Sequence, residues 1–237
     1  IVQAINLAAA TGDVTITQFM NEDDIATRED IEEDLDEGEV DSTVYTSITG
    51  NIVTGSGNDT LSANAGQIIG NSFFNDGNDR LLLSGEAYYK GKVYFGDGGA
   101  LAALSGEAEF VGTIDFADLA GQLTVADNAI FSGTITNGAA ASVVVNGGRF
   151  GADGVRTMTI GSLTVGSGGT FDAYIDGETQ TASHVIANTA TFESGATVSA
   201  TINSLVGAEG SYVILTASNL QGNPVFDEVT TKLPYIF

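Results

Sequence analysis

The sequence has no cysteine and no tryptophan, two prolines, seven basic side chains and one histidine in 237 residues. Without cysteine there are no disulfides and no thiolate metal sites, which is compatible with a chain that crosses an oxidising periplasm unfolded. The few Lys and Arg face 31 Asp and Glu, giving a formal net charge of −24. That balance excludes a nucleic-acid binder, which needs clustered cations to displace counterions from a polyanion. No run of about 18 consecutive apolar residues occurs, so nothing spans a bilayer as a helix. Charged residues are also scarce, at 16% against 43% hydrophobic, so the chain is not a disordered acidic tail. It begins at Ile1 without Met or a charged-then-apolar leader, which reads as a mature fragment or an excised domain.

Glycine, by contrast, is present 31 times, and short apolar runs alternate with Gly or Asn turns. The chain repeats itself. Gly50, Gly70, Gly91, Gly112 and Gly133 follow one another in near-equal steps of 20, 21, 21 and 21. Each opens a similar segment: GNIVT, GNSFF, GKVYF, GTIDF and GTITN. Leu83-Ser84-Gly85-Glu86-Ala87 recurs as Leu104-Ser105-Gly106-Glu107-Ala108 and again, more loosely, as Val125-Ala126-Asp127-Asn128-Ala129. A third column runs Ile68, Tyr89, Phe110, Phe131.

Three strand-like runs per unit, all in one phase, put equivalent residues above one another in neighbouring coils. The expected fold is all-β: a right-handed parallel β-helix, or solenoid, with coils of about 21 residues and a short acidic helical or loop insertion. Period-two alternation within the runs predicts the inward columns. These are Ile52, Val93, Ile114 and Ile135, with Ser72 as the polar member; Phe74, Phe95 and Phe116; Leu61, Leu81, Leu123 and Val143 or Val144; and the aromatic column. Gly and Asn suit the tight corners, and the lack of Pro suits buried parallel ladders. At about 4.8 Å per coil, some eleven turns would make a rod roughly 50 Å long.

Four parts are expected. Residues 1–17 read as a first coil. Residues 18–45 form an acidic insertion: between Glu22 and Asp41 lie 12 acids and one base, Arg28, so this stretch carries −11 of the −24. Ile25, Ile31 and Leu35 give it a thin apolar stripe, and Thr27 with Asp30 resembles a capping box, so a short helix or a protruding loop is expected. Residues 46–155 hold the regular repeat. Residues 156–237 continue the strand patterning at looser spacing and are expected to cap the open end.

Several motifs could carry chemistry. Gly55-Ser56-Gly57-Asn58-Asp59-Thr60-Leu61 resembles one unit of a calcium-binding nonapeptide repeat, with a partial copy at Asp76-Gly77-Asn78-Asp79-Arg80-Leu81. That motif works by stacking copies about nine residues apart. Asp59 and Asp79 are 20 apart, and Ala100 stands where the next carboxylate would recur, so a turn built by Asn and Asp is the competing reading. Asp34-Leu35-Asp36-Glu37-Gly38 fails the EF-hand register, because Leu35 falls at a ligand position. His184 is the single imidazole and lies beside Ser183, but there is no GxSxG elbow. Glycoside cleavage would call for Asp converging with Arg or Lys on one face; of Arg80, Lys90, Lys92, Arg149 and Arg156, only Lys90 and Lys92 cluster. Thr15/Thr17, Thr134/Thr136 and Thr189/Thr191 share no column, so ice-binding rows are absent. The aromatic column admits a sugar platform, though Ile68 in the same column favours core stacking. No catalytic, cofactor-binding or metal residue is assigned.

Gly161-Ser162-Leu163-Thr164-Val165-Gly166-Ser167-Gly168-Gly169-Thr170-Phe171, the looser Ala190-Thr191-Phe192-Glu193-Ser194-Gly195-Ala196-Thr197-Val198, and the closing run from Gly210 to Ala217 and on through Leu233-Pro234-Tyr235-Ile236-Phe237 carry a resemblance. Over its C-terminal third the chain resembles the passenger domain of bacterial type V secretion proteins, the autotransporters. The resemblance implies a non-enzymatic stalk or adhesin, exported to the cell surface or secreted through a covalently attached C-terminal outer-membrane β-barrel outside this chain. It also implies that the last coils act as a folding template, and that the partner is an adhesion ligand or a second copy. Two other classes stay open: a carbohydrate-active β-helix enzyme and a calcium-stabilised structural module.

Overall fold

The computed structural model describes residues 2–20, 46–204, 207 and 209–231. The expected helix or loop of the acidic insertion falls on residues 21–45 and so lies outside the described residues. Among the described residues the structure is all-β, with no helix.

The chain passes back and forth between two sheets. In the first, the main order is Gln3–Asn6, Asn51–Val53, Ser72–Phe73, Tyr88–Tyr94, Glu109–Asp115, Ile130–Thr136, Arg149–Gly151, Thr170–Asp176, Thr197–Ile202 and Val225–Thr231. In the second it is Thr15–Gln18, Thr60–Ala63, Asp79–Leu83, Ala100–Leu104, Gly121–Ala126, Gly138–Asn146, Thr157–Val165, His184–Phe192 and Leu215–Gln221. Every strand on these two paths is parallel to its neighbours, and each return to a sheet adds the next strand in line, as in a β-solenoid. Among the described residues the second sheet holds nine strands, hence nine layers and a stack of about 38 Å. That is fewer than the eleven turns expected, because several register partners are further apart than one repeat: Thr60 is the partner of Thr15, Ser199 that of Asp172, and Thr216 that of Ile186.

The register repeats the sequence period. Phe110 lies opposite Tyr89 and Phe131, Gly112 opposite Gly91 and Gly133, and Ile114 opposite Val93 and Ile135. The three runs per unit are two arms of the first sheet plus one strand of the second. Ser47–Thr49 and Gln67–Ile69 form one arm, and Asn51–Val53 and Ser72–Phe73 the other. Both arms merge into the single strand Tyr88–Tyr94, with Gly91 between them. The corner expected between strands is therefore a bend inside one strand. Gly70, Gly91 and Gly112 have φ of 149°, 152° and 145°, and a Cβ on any of them would strike the carbonyl oxygen of the glycine one layer back. Only glycine meets both demands.

The predicted columns face the interior. Ile52, Val93, Ile114, Ile135, Phe74, Phe95, Phe116, Leu61, Leu81 and Leu123 are buried, and Val143 rather than Val144 completes the last series. Ser72 is buried among them and accepts the Tyr89 hydroxyl at 2.9 Å, so the polar member of one column satisfies the polar member of another. The ring column continues through Phe150 and Phe171.

Candidate functional site

The motif at Gly55–Leu61 and its partial copy build one corner of the stack, on the approach to the second sheet. Two ladders run through it. On the outside, the Asn58 amide donates to Asp13 Oδ1 (2.8 Å), the Asn78 amide to Asn58 Oδ1 (2.9 Å) and the Gly99 amide to Asn78 Oδ1 (3.0 Å). On the inside, the Val14 amide donates to Asp59 Oδ1 and the Asp59 amide to Asp79 Oδ1, each at 2.8 Å. These side chains thus satisfy backbone N–H groups of an adjacent layer, which a strand entering a corner would otherwise leave unpaired. At Ala100 no carboxylate is present, and the Asp79 amide turns to the Gly99 carbonyl at 2.8 Å.

The inner ladder is buried, with Asp59 0% and Asp79 2% exposed, and Asp59 Oδ2 has no hydrogen-bond partner. Burial pushes the Asp79 carboxyl up to about 6; the Asp59 amide pulls it back, while the charges of Asp59 and Asp76 push it further. Among the described residues, no group of three or more His, Cys, Asp or Glu is placed to hold a metal ion.

The remaining candidates do not converge. Nε2 of His184 faces the Thr216 hydroxyl at 2.8 Å. Its neighbour Ser183 is buried, and its Oγ accepts the Tyr174 amide, so serine and imidazole turn apart. Lys90 and Lys92 are exposed on the outer face of the first sheet, flanking Gly91, whereas Arg80 is exposed on the second. Tyr89, Phe110 and Phe131 are sealed in the core, out of reach of a sugar.

A polar cluster that the sequence reading missed lies on the C-terminal part of the first sheet. Asp172 Oδ1 accepts from Ser199 Oγ at 2.6 Å and lies 3.5 Å from the Arg149 guanidinium, while its Oδ2 accepts from Thr201 Oγ1 at 2.9 Å. Arg149 also donates to Ser199 Oγ at 3.2 Å. Asp172 and Ser199 are opposite each other in register, a relation hidden in the sequence by a spacing longer than the repeat. Ser199 is buried, so the cluster ties layers together and offers no nucleophile to solvent.

At the last layer the core runs out. Phe226 and Leu220 occupy inward positions in the Phe171–Val198 and Leu163–Ala190 columns, yet are 61% and 60% exposed. An apolar groove of about 400 Å³ opens there, lined by Phe192, Val198, Tyr212, Leu215 and Leu220 among others.

No family model, curated protein or solved structure matches this chain.

Proposed function

We propose that the two sheets close into a right-handed parallel β-helix, and that the chain is a non-enzymatic passenger region of the bacterial type V secretion class: a rigid stalk or adhesive surface outside the cell. The observation that carries this reading is the repeated parallel register, in which one side-chain column continues through successive layers of both sheets. The hand follows from the connections. Each passage from one strand of the first sheet through the second and back is a parallel crossover, and such crossovers are right-handed in about 98% of cases.

Export suits this architecture. Layers that contact mainly their neighbours can fold by addition from one end, so no contact between distant layers is needed before the chain has crossed the membrane. Cysteine is absent, so a chain held unfolded in an oxidising compartment forms no wrong cross-links. The apolar last layer, with Phe226 and Leu220 uncovered, fits a template from which folding starts and to which further chain is joined. The resemblance of residues 161–237 to autotransporter passengers supplies the class and the outer-membrane barrel as the covalent partner, with an adhesion ligand or a second copy as the non-covalent one.

The test is protease shaving of intact cells that carry the protein in its native full-length form. Fragments from the repeat should be released by protease without lysis. Protection until the outer membrane is permeabilised would contradict a surface location.

A further inference from the structure

We propose that Asp79 is the proton-carrying member of a buried carboxylate pair with Asp59, and that this pair holds the N-terminal layers more tightly in mildly acidic surroundings than at neutral pH.

Geometry carries the argument. The two carboxylates come from consecutive layers, one behind the other along the stack, and both are enclosed. Asp79 Oδ1 is committed to the Asp59 amide and Asp59 Oδ1 to the Val14 amide, while Asp59 Oδ2 is buried with no donor. A buried carboxylate loses its hydration, and a second buried carboxylate in the layer behind it, without a cation, adds repulsion to the charged form of Asp79. The surroundings offer no relief. Asp76 lies in the same turn and Asp97 in the turn of the next layer, where the position opposite Asp79 is Ala100. Asp13, in the layer before, is spent on Asn58. Arg80, the adjacent cation, is exposed and makes no ion pair with either carboxylate. A proton on Asp79 removes one charge and leaves the bond from the Asp59 amide in place.

The direction of the pH effect follows. Asp79 in the folded chain holds its proton up to about 6, above its ordinary 3.8. Between about pH 4 and pH 6 the folded chain therefore binds more proton than the unfolded chain, so this group's contribution to stability is full below that window and is lost as pH rises through it.

Carboxyl-carbon NMR on the whole chain reads the proton directly. Asp79 should titrate near 6, well above the ordinary 3.8 of an aspartate. Titration of Asp79 near 4 overturns the proposal. Amide exchange in D79N, which keeps an acceptor for the Asp59 amide, gives the functional consequence. At neutral pH the variant should protect the Asp59 and Val14 amides at least about tenfold better than the parent, and at about pH 3.5, below the window, the two should be nearly equal. An equal or lower protection in D79N at both pH values overturns it. So does a gain of the same size when millimolar calcium is added to the parent at neutral pH, because the pair would then be a cation site.

Discussion

The regular layers between Gly50 and Phe150 and the longer layers after Phe171 have the same sheets but are held together differently. In the first region register partners in successive layers are mostly 20 or 21 apart in the sequence, and like side chains fall opposite one another. Tyr89, Phe110 and Phe131 stack with centroids 5.1 and 5.3 Å apart and planes within 9°. Toward the second region the stack loosens: Phe150 and Phe171 are 6.4 Å apart at 25°, and Phe171 meets Phe192 at 6.5 Å and 58°. The next residue in the Phe171 column is Val198, so Phe192, from the other sheet, fills in beside the last ring. Extra length is pushed outward, as in the antiparallel pairing of Thr181–Ala182 with Ile175 and Asp176. Cohesion passes to the hydrogen-bonded cluster around Asp172. Equal layer lengths permit a ladder of like side chains; unequal lengths require a custom network.

Substitutions that act on one region's device should break the comparison most sharply. The largest effect is expected from G112A, whose Cβ would meet the Gly91 carbonyl at φ 145°. It should cost more than about 4 kcal/mol or prevent folding, whereas G154A, with nothing near its added Cβ, should move the urea midpoint little. Next comes F131A, which removes a ring stacked on both sides. We expect about 3–5 kcal/mol, and for F192A, at the tilted end of the series, about 2 kcal/mol. Equal losses would mean that ring stacking is no better organised in the regular layers. A smaller loss, about 2 kcal/mol, is expected for D172A, which removes the shared acceptor of Ser199 and Thr201 and the charge that faces Arg149. Exchange of amides after Phe171 should rise in that variant while amides near Phe110 stay protected, since repeat arrays couple mainly to neighbours.

Where the repeat is strict, the sequence was a direct guide to the structure. Gly91 to Gly112 to Gly133, and Tyr89 to Phe110 to Phe131, could be placed in columns because a fixed period and period-two alternation together assign both layer and face. The same logic left Val143 and Val144 undecided until the pairing of Val143 with Leu123 placed it inside. It could not reach Asp172 and Ser199, whose contact depends on a layer length found nowhere else in the repeat. The corner aspartates were visible as residues, but their burial was not: Asn58-Asp59 reads as a polar turn, and only the side-chain bonds back to the preceding layer turn Asp59 inward. Gln18 was assigned to the insertion, yet it ends the strand Thr15–Gln18, and its amide reaches the carbonyls of Thr46 and Ala65 at 3.2 and 2.9 Å. A buried glutamine thus ties the end of that strand to the backbone at Thr46 and Ala65.

The central claim is that residues one repeat apart are direct neighbours across layers. A chain without cysteine allows this to be tested by disulfide formation, since a bridge needs Cα atoms about 4.4–6.8 Å apart. Thr113 and Thr134 are register partners, whereas Thr136 is the partner of Asp115 and so is offset from Thr113. Under mild oxidation T113C/T134C should cross-link fully and raise the thermal midpoint, and T113C/T136C should not close. Equal cross-linking of both pairs, or closure of the offset pair alone, would contradict the register on which the account rests.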